Sequence, residues 1–162
     1  MRIRPILLFV VLLPIAVLAQ KENMPYVMLL GITQDGGYPH IGCQRKCCQQ
    51  AIIDKSKSRN VIALAIVSPT ENKWWLVEAT PNITEQLQLF SNKTLGKYPY
   101  LPEGIFITHA HMGHYTGLTY LGREALGAKE IPVYVMSKMK SYLETNGPWS
   151  QLVQLKNIAI HE

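Results

Sequence analysis

An apolar strand that runs straight into a histidine-bearing loop constrains this chain more than any other stretch of it. Ile105-Phe106-Ile107 leads into Thr108-His109-Ala110-His111-Met112-Gly113-His114-Tyr115-Thr116-Gly117, so three of the 5 histidines fall between positions 109 and 114. On an extended segment, residues at i and i+2 point to the same side, which lets His109 and His111 reach one ion. His114 follows Gly113, where the chain can turn sharply. Neutral imidazole binds zinc, iron, copper and nickel, and gathering imidazoles at a strand end is what a metal site needs. His109, His111 and His114 are therefore the candidate metal ligands and the candidate catalytic residues.

The elements on either side read as strands and helices in alternation. Val27 to Thr33 is a first strand that runs into the turn signal Gln34-Asp35-Gly36-Gly37. That loop either walls a pocket, with Asp35 as its polar residue, or is only a turn. Cys47 to Lys57 reads as a basic helix. Val61 to Val67 is a nearly continuous apolar run, as in a strand buried on both faces, and Trp74 to Val77 returns beside it as a hairpin. Thr80 and Pro81 are placed to cap and open a helix whose Ile83, Leu87 and Phe90 share one face. After the histidines, Leu118, Leu121 and Ala125 mark a helix face closed by Gly127. Ile131 to Met136 is a strand, and Ser137 can cap a helix carrying Met139, Tyr142 and Leu143. Pro148-Trp149 opens a short helix, and Ile158 to His161 is a last strand. Three strands followed by alternating helix and strand predict a layered α/β fold.

Residues 1–19 have the features of a secretory signal peptide: Arg2 and Arg4, an apolar Ile6 to Leu18, and Val17-Leu18-Ala19 before a cleavage point at Gln20. The apolar stretch is shorter than the roughly 20 residues a membrane-spanning helix needs. The mature chain is therefore expected to begin at Gln20, to work outside the cytoplasm and to keep no stable membrane anchor. The formal net charge is +5, to which those two arginines contribute. Lys and Arg form no run and no stacked helical stripe, so nucleic acid is not an expected partner.

All 3 cysteines stand close to one histidine: His40, Cys43, Cys47 and Cys48. This set has the composition of a Cys3His structural zinc site. A Cys43–Cys47 or Cys43–Cys48 disulfide with one cysteine left over is the alternative in an exported protein, and free thiols are a third.

His-x-His-x-Gly-His at 109–114 resembles the His-x-His-x-Asp-His motif of the metallo-β-lactamase superfamily, which also follows a buried strand. Gly-Ile-Thr-Gln-Asp-Gly-Gly-Tyr-Pro-His-Ile-Gly-Cys, from Gly31 to Cys43, resembles the opening of the superfamily branch that includes pyrroloquinoline quinone biosynthesis protein B. The resemblance implies an αββα sandwich, of which residues 20–162 are the N-terminal part: a mixed sheet flanked by helices. It implies that His109 and His111 help to hold a first ion and His114 a second, and that an acid near the second hairpin strand, here Glu78, can face the histidine loop. A solvated or purely structural glutamate is the alternative for Glu78. Gly113 stands where the motif has its Asp, and glycine brings no ligand, so restoring an acid at 113 is expected to raise the affinity for a second ion. The superfamily's remaining His, Asp and His ligands lie in a second half-domain, and the chain is expected to be an N-terminal fragment. A half sandwich on its own leaves one sheet face uncovered, so pairing as a homodimer is one expectation.

Three functions are compatible with these features. The first is a zinc hydrolase with one or two ions, in which a metal-bound water attacks a small-molecule ester, lactone, amide or phosphoester. The second is a mononuclear iron oxygenase or oxidase. The third is a non-catalytic, metal-stabilised binding protein.

Overall fold

A computed structural model of the chain describes residues 23–162. The expected signal peptide, 1–19, lies outside the described residues. Among those described, no helix is long and apolar enough to cross a membrane.

Six strands form one mixed sheet in chain order. β1 (Tyr26–Gly31), β2 (Ala63–Ser68) and β3 (Lys73–Val77) are antiparallel neighbours. β4 (Ile105–Phe106), β5 (Ile131–Tyr134) and β6 (Ile158–His161) then add in parallel. Parallel neighbours need a crossover, and helices supply each one. α2 (Ile83–Lys93) joins β3 to β4, and α3 (Met112–Tyr115) with the 3-10 turn Thr116–Leu121 joins β4 to β5. α4 (Ser137–Thr145) and α5 (Trp149–Gln154) join β5 to β6. α1 (Lys46–Ile53) lies in the long β1–β2 connection.

Alternation divides the strand residues between two faces of the sheet, and the helices cover one of them. Ala63, Ala65, Val67, Trp74, Leu76, Ile105 and Val133 are fully buried and join Ile83, Leu87, Phe90, Leu143 and Leu152 of the helices in one core. Trp74 lies flat on Phe90, with ring centroids 3.9 Å apart. The other face is apolar as well. Val27 and Leu29, opposite Ile66 and Leu64, are 58% and 63% exposed, and the register carries the row on through Trp75, Val77, Phe106 and Tyr134. The continuous apolar run in β2 was expected to mark a strand buried on both faces, but Ile66 is 38% exposed, because among the described residues no helix covers this second face.

Several boundaries differ from the sequence pattern for local reasons. The basic helix ends at Ile53, because the Asp54 carboxylate accepts from the Ser56 amide and hydroxyl and starts a separate 3-10 turn, Lys55–Lys57. Asn82, not Thr80, occupies the cap position of α2. Thr80 is fully buried instead; its hydroxyl accepts from the Asn82 amide and donates to Gln86, whose amide donates to Val61 O at 2.7 Å. Ser137 is the first residue of α4 rather than its cap, and its hydroxyl donates to the Glu162 carboxylate. Leu118 and Leu121 are buried as the helix face implied, but in a 3-10 turn, where i and i+3 stack; Ala125 is exposed.

Cys43 and Cys48 form a disulfide, and Cys47 is free and exposed. This is one of the two expected disulfide pairings, with one cysteine left over, in place of the Cys43–Cys47 bridge, the four-ligand zinc set and three free thiols. The ring of His40 sits against Gly36, and its Nδ1 donates to Ile41 O at 2.8 Å. A bridge across a sequence separation of 5 stabilises by about 2 kcal/mol on loop-entropy grounds. A reductant is thus expected to lower the melting temperature of the protein, and Cys43→Ser to lower it equally and abolish the response to reductant. Chelators should not reproduce the effect; a chelator-sensitive, reductant-insensitive transition would restore the zinc assignment.

Candidate metal centre

The site forms where β3 and β4 end side by side. Val77 and Phe106 are register partners, and the next residue of β3 continues the pairing: Glu78 N donates to Phe106 O at 2.8 Å. Glu78 then turns with φ of 73°, in the left-handed region that side-chain-bearing residues rarely adopt. The turn carries its carboxylate inward, where it is 5% exposed. Such strain concentrates at functional sites because the surrounding structure must hold it in place.

Thr108 engages both oxygens of that carboxylate. Its hydroxyl donates to Glu78 Oε1, and its amide approaches Oε2 at 3.4 Å. The hydroxyl has only one proton, and a carboxylate can only accept. In the 2.8 Å contact between Thr108 Oγ1 and His109 Nδ1, the imidazole is therefore the donor. This assigns the His109 proton to Nδ1 and leaves Nε2 with its lone pair.

The histidine loop is locked to β3 by its backbone. Ala79 N donates to His114 O, and Gly117 N donates to Ala79 O, both at 2.9 Å. Gly117 permits this approach, because a Cβ there would stand 2.9 Å from the Ala79 carbonyl carbon and oxygen. Behind the loop, Tyr115 packs on Trp149 and reaches Tyr142 at 3.4 Å. That hydrogen bond, with burial, pushes the Tyr115 phenol up to about 12.

The three imidazoles cluster around His109, whose ring centroid lies 4.1 Å from that of His114 and 4.6 Å from that of His111. His114 is buried between two acids. Its Nδ1 is 3.5 Å from Glu78 Oε1 and its Nε2 is 3.4 Å from Asp35 Oδ1. The Nδ1 contact is electrostatic only, since this buried nitrogen has no hydrogen-bond partner. Asp35 also accepts from the Gly113 amide at 3.2 Å. Burial works to raise the Asp35 pKa, but the Gly113 hydrogen bond and the neighbouring His114 and His111 outweigh it and hold the carboxyl below its ordinary value.

Among the described residues, the one group of three or more ligating side chains whose donor atoms lie within 4.8 Å of one another is Glu78, His109 and His114. Imidazoles beside carboxylates form a donor set for zinc and similar divalent ions. A buried imidazole nitrogen without a hydrogen bond is costly unless something else satisfies the ring. The residues present thus fit a metal ion. His111 is exposed and outside this group. β4 ends at Phe106, so His109 and His111 lie in the loop beyond the strand, with His111 at the cap position of α3. His40, Cys43, Cys47 and Cys48 form no second such group. A cleft of about 440 Å³ opens beside Asp35, lined by Tyr38, Arg59 and Asn82 among others, and no histidine lines it.

Glu78 is the residue the sequence left most open. Its only local signal is an acid directly after an apolar strand and before Ala79 and Thr80, both of which are fully buried.

No protein-family model matches the sequence, and no curated protein matches it. The fold is nonetheless similar to solved structures. Zn(2+)-bound PqqB from Methylobacterium extorquens superposes with a TM-score of 0.66 at 21% identity, over 85% of this chain and 45% of that one. A diphosphatase of the PhnP family gives a TM-score of 0.60 at 22% identity, over 86% of this chain and 51% of that one. The chain therefore spans about half the length of the structures it matches. The mixed sheet with its helices has the metallo-β-lactamase-type fold implied by the motif resemblance.

Proposed function

We propose that this chain, with a metallo-β-lactamase-type fold and a His–Glu metal group, carries the histidine loop of a metal-dependent hydrolase acting on a small-molecule ester, lactone, amide or phosphoester. The observation that carries this reading is the convergence of Glu78, His109 and His114 at the ends of β3 and β4. In parallel sheets, ligands collect beyond the carboxyl ends of the strands.

A divalent ion held there supplies Lewis acidity and lowers the pKa of water to about 7. His109 presents Nε2, because Thr108 holds its Nδ1 proton. Glu78 fixes Thr108 and, at 3.5 Å, faces His114 Nδ1. The same carboxylate is the third donor of the group, beside the two imidazoles. The similarity to a zinc-bound protein and to a diphosphatase supports a divalent metal and a hydrolytic reaction.

Elemental analysis after dialysis against zinc, followed by a panel of lactone, ester and phosphodiester substrates, tests the reading. Zinc should be retained, hydrolysis should vanish on chelation, and zinc should restore it. Absence of bound zinc, or hydrolysis that ignores the chelator, would overturn the proposal.

A further inference from the structure

We infer that the cleft beside the metal centre receives an oxyanion carried by the substrate, a carboxylate or a phosphate, and that Arg59 and Lys55 hold it. The inference rests on the hydrolase reading above and adds a substrate class to it: a small molecule with an anionic group set apart from the bond that is cleaved.

The cleft, of about 440 Å³, is lined by Asp35, Tyr38, Lys55, Arg59, Asn82 and Glu85 among others. Its volume lies in the range of roughly 300–1,000 Å³ common to small-molecule sites. Asp35 joins it to the metal group. This wall residue places Oδ1 3.4 Å from His114 Nε2, and its Oδ2 accepts from Gly113 N–H. A small molecule with its reacting bond at the imidazoles therefore has the cleft as neighbouring space for the rest of its structure.

Arg59 decides what chemistry that space takes. Its backbone is fixed to Tyr38 by two hydrogen bonds, at 2.8 and 3.2 Å. Its Nη1 donates to Ser56 O at 2.8 Å and to Ser58 O at 2.7 Å. The guanidinium is thus held by one end, and among the described residues its Nε and Nη2 have no hydrogen-bond partner. That edge is a planar fork, which matches two oxygens of a carboxylate or a phosphate. A fork held in advance loses little freedom when the anion arrives.

The charges around it agree. Among the described residues, neither Arg59 nor Lys55 stands in an ion pair. The two acids that line the cleft are engaged elsewhere: Asp35 faces His114 and Gly113, and Glu85 accepts from the Thr84 hydroxyl at 2.9 Å. Asn82 adds a neutral donor. Its Oδ1 accepts from Val61 N–H at 3.0 Å, and since a backbone N–H can only donate, the Asn82 Nδ2 is left for a ligand.

Calorimetric titration of the metal-free protein with inorganic phosphate and with acetate tests the assignment. One or both anions should bind, and the tighter of the two identifies the group as phosphate or carboxylate. Arg59→Gln should weaken that binding by roughly tenfold or more. Arg59→Lys, which keeps the charge but not the fork, should fall between wild type and Arg59→Gln, and Lys55→Gln should cost less. Glu85→Gln removes an opposing charge and should strengthen binding, which damage to the fold would not do. The zinc-loaded protein should hydrolyse nitrophenyl hemisuccinate with a higher kcat/KM than nitrophenyl acetate, and Arg59→Gln should remove that preference. Failure of the wild type to bind either anion, wild-type affinity in Arg59→Gln, or equal losses on the two esters would overturn the assignment. If chelator-sensitive hydrolysis is absent altogether, the hydrolase reading fails, while the anion titrations still decide the cleft on their own.

Discussion

Replacing His114 with alanine is expected to strip the protein of zinc and of any chelator-sensitive hydrolysis. His114 is the one imidazole that is buried, and it lies between both acids, 3.5 Å from Glu78 and 3.4 Å from Asp35. Losing an outer-shell partner of a metal site typically costs about 10–100-fold in affinity, and loss of this ring should exceed that. His111→Ala should cost less, because His111 is exposed and stands outside the close group of ligand atoms. His161→Ala, at the end of β6, should have no effect on zinc. Equilibrium dialysis of the three variants checks the order; equal losses for His111 and His114 would contradict the geometry. Melting of metal-free His114→Ala separates ligand loss from unfolding, since that form should remain folded.

Trp74→Ala is expected to cost about 3–5 kcal/mol, a large share of the roughly 5–15 kcal/mol that stabilises an ordinary domain. Trp74 is fully buried, stacks on Phe90 at 3.9 Å and donates from its indole nitrogen to Pro99 O at 2.8 Å. Truncation removes the packing and leaves a carbonyl without its donor. Trp74→Phe should retain most of the packing and lose about 1 kcal/mol for the hydrogen bond. The adjacent Trp75 points to the uncovered face and is only half-buried, so Trp75→Ala should cost roughly 1 kcal/mol or less. Denaturant midpoints at constant slope measure all three.

That contrast between neighbouring tryptophans also shows where sequence reading reaches its limit. The alternation places Trp74 and Trp75 on opposite faces, but both faces of the sheet are apolar, so nothing in β2 or β3 alone says which one is covered. The helices decide it, and only their packing shows that. Elements with strong local patterns were legible: β2, β6, and the Ile83, Leu87, Phe90 face of α2 all occur where the pattern put them. The segment after the histidines was legible in its buried residues but not in its type. Gly117 and Gly122 bracket a run too short for a regular helix, and backbone bonds to Ala79 take over.

At the candidate site, His109 and His114 were legible because imidazoles beside a strand end are unusual. Glu78 was only half legible, since a single acid after a strand is equally common in solvent. Asp35 was legible only as the polar residue of a turn that could wall a pocket; its contacts with Gly113 and His114 were not. The motif pattern directs attention to what position 113 lacks, while the group that fills the space comes from a loop 78 residues away. A glycine read as a lost ligand is, in the folded chain, the space that the Asp35 side chain occupies.

The backbone bonds that tie Ala79 to His114 and Gly117 carry one more consequence. Zinc sites on unstructured segments spend much of their binding energy on ordering the chain, so folding and loading become one event. Here the protein's own backbone hydrogen bonds anchor the loop to the residue that follows β3 and Glu78. Apoprotein and loaded protein should therefore have the same far-ultraviolet circular dichroism spectrum. Metal uptake then becomes a step that follows folding, in which ions compete for a finished cradle.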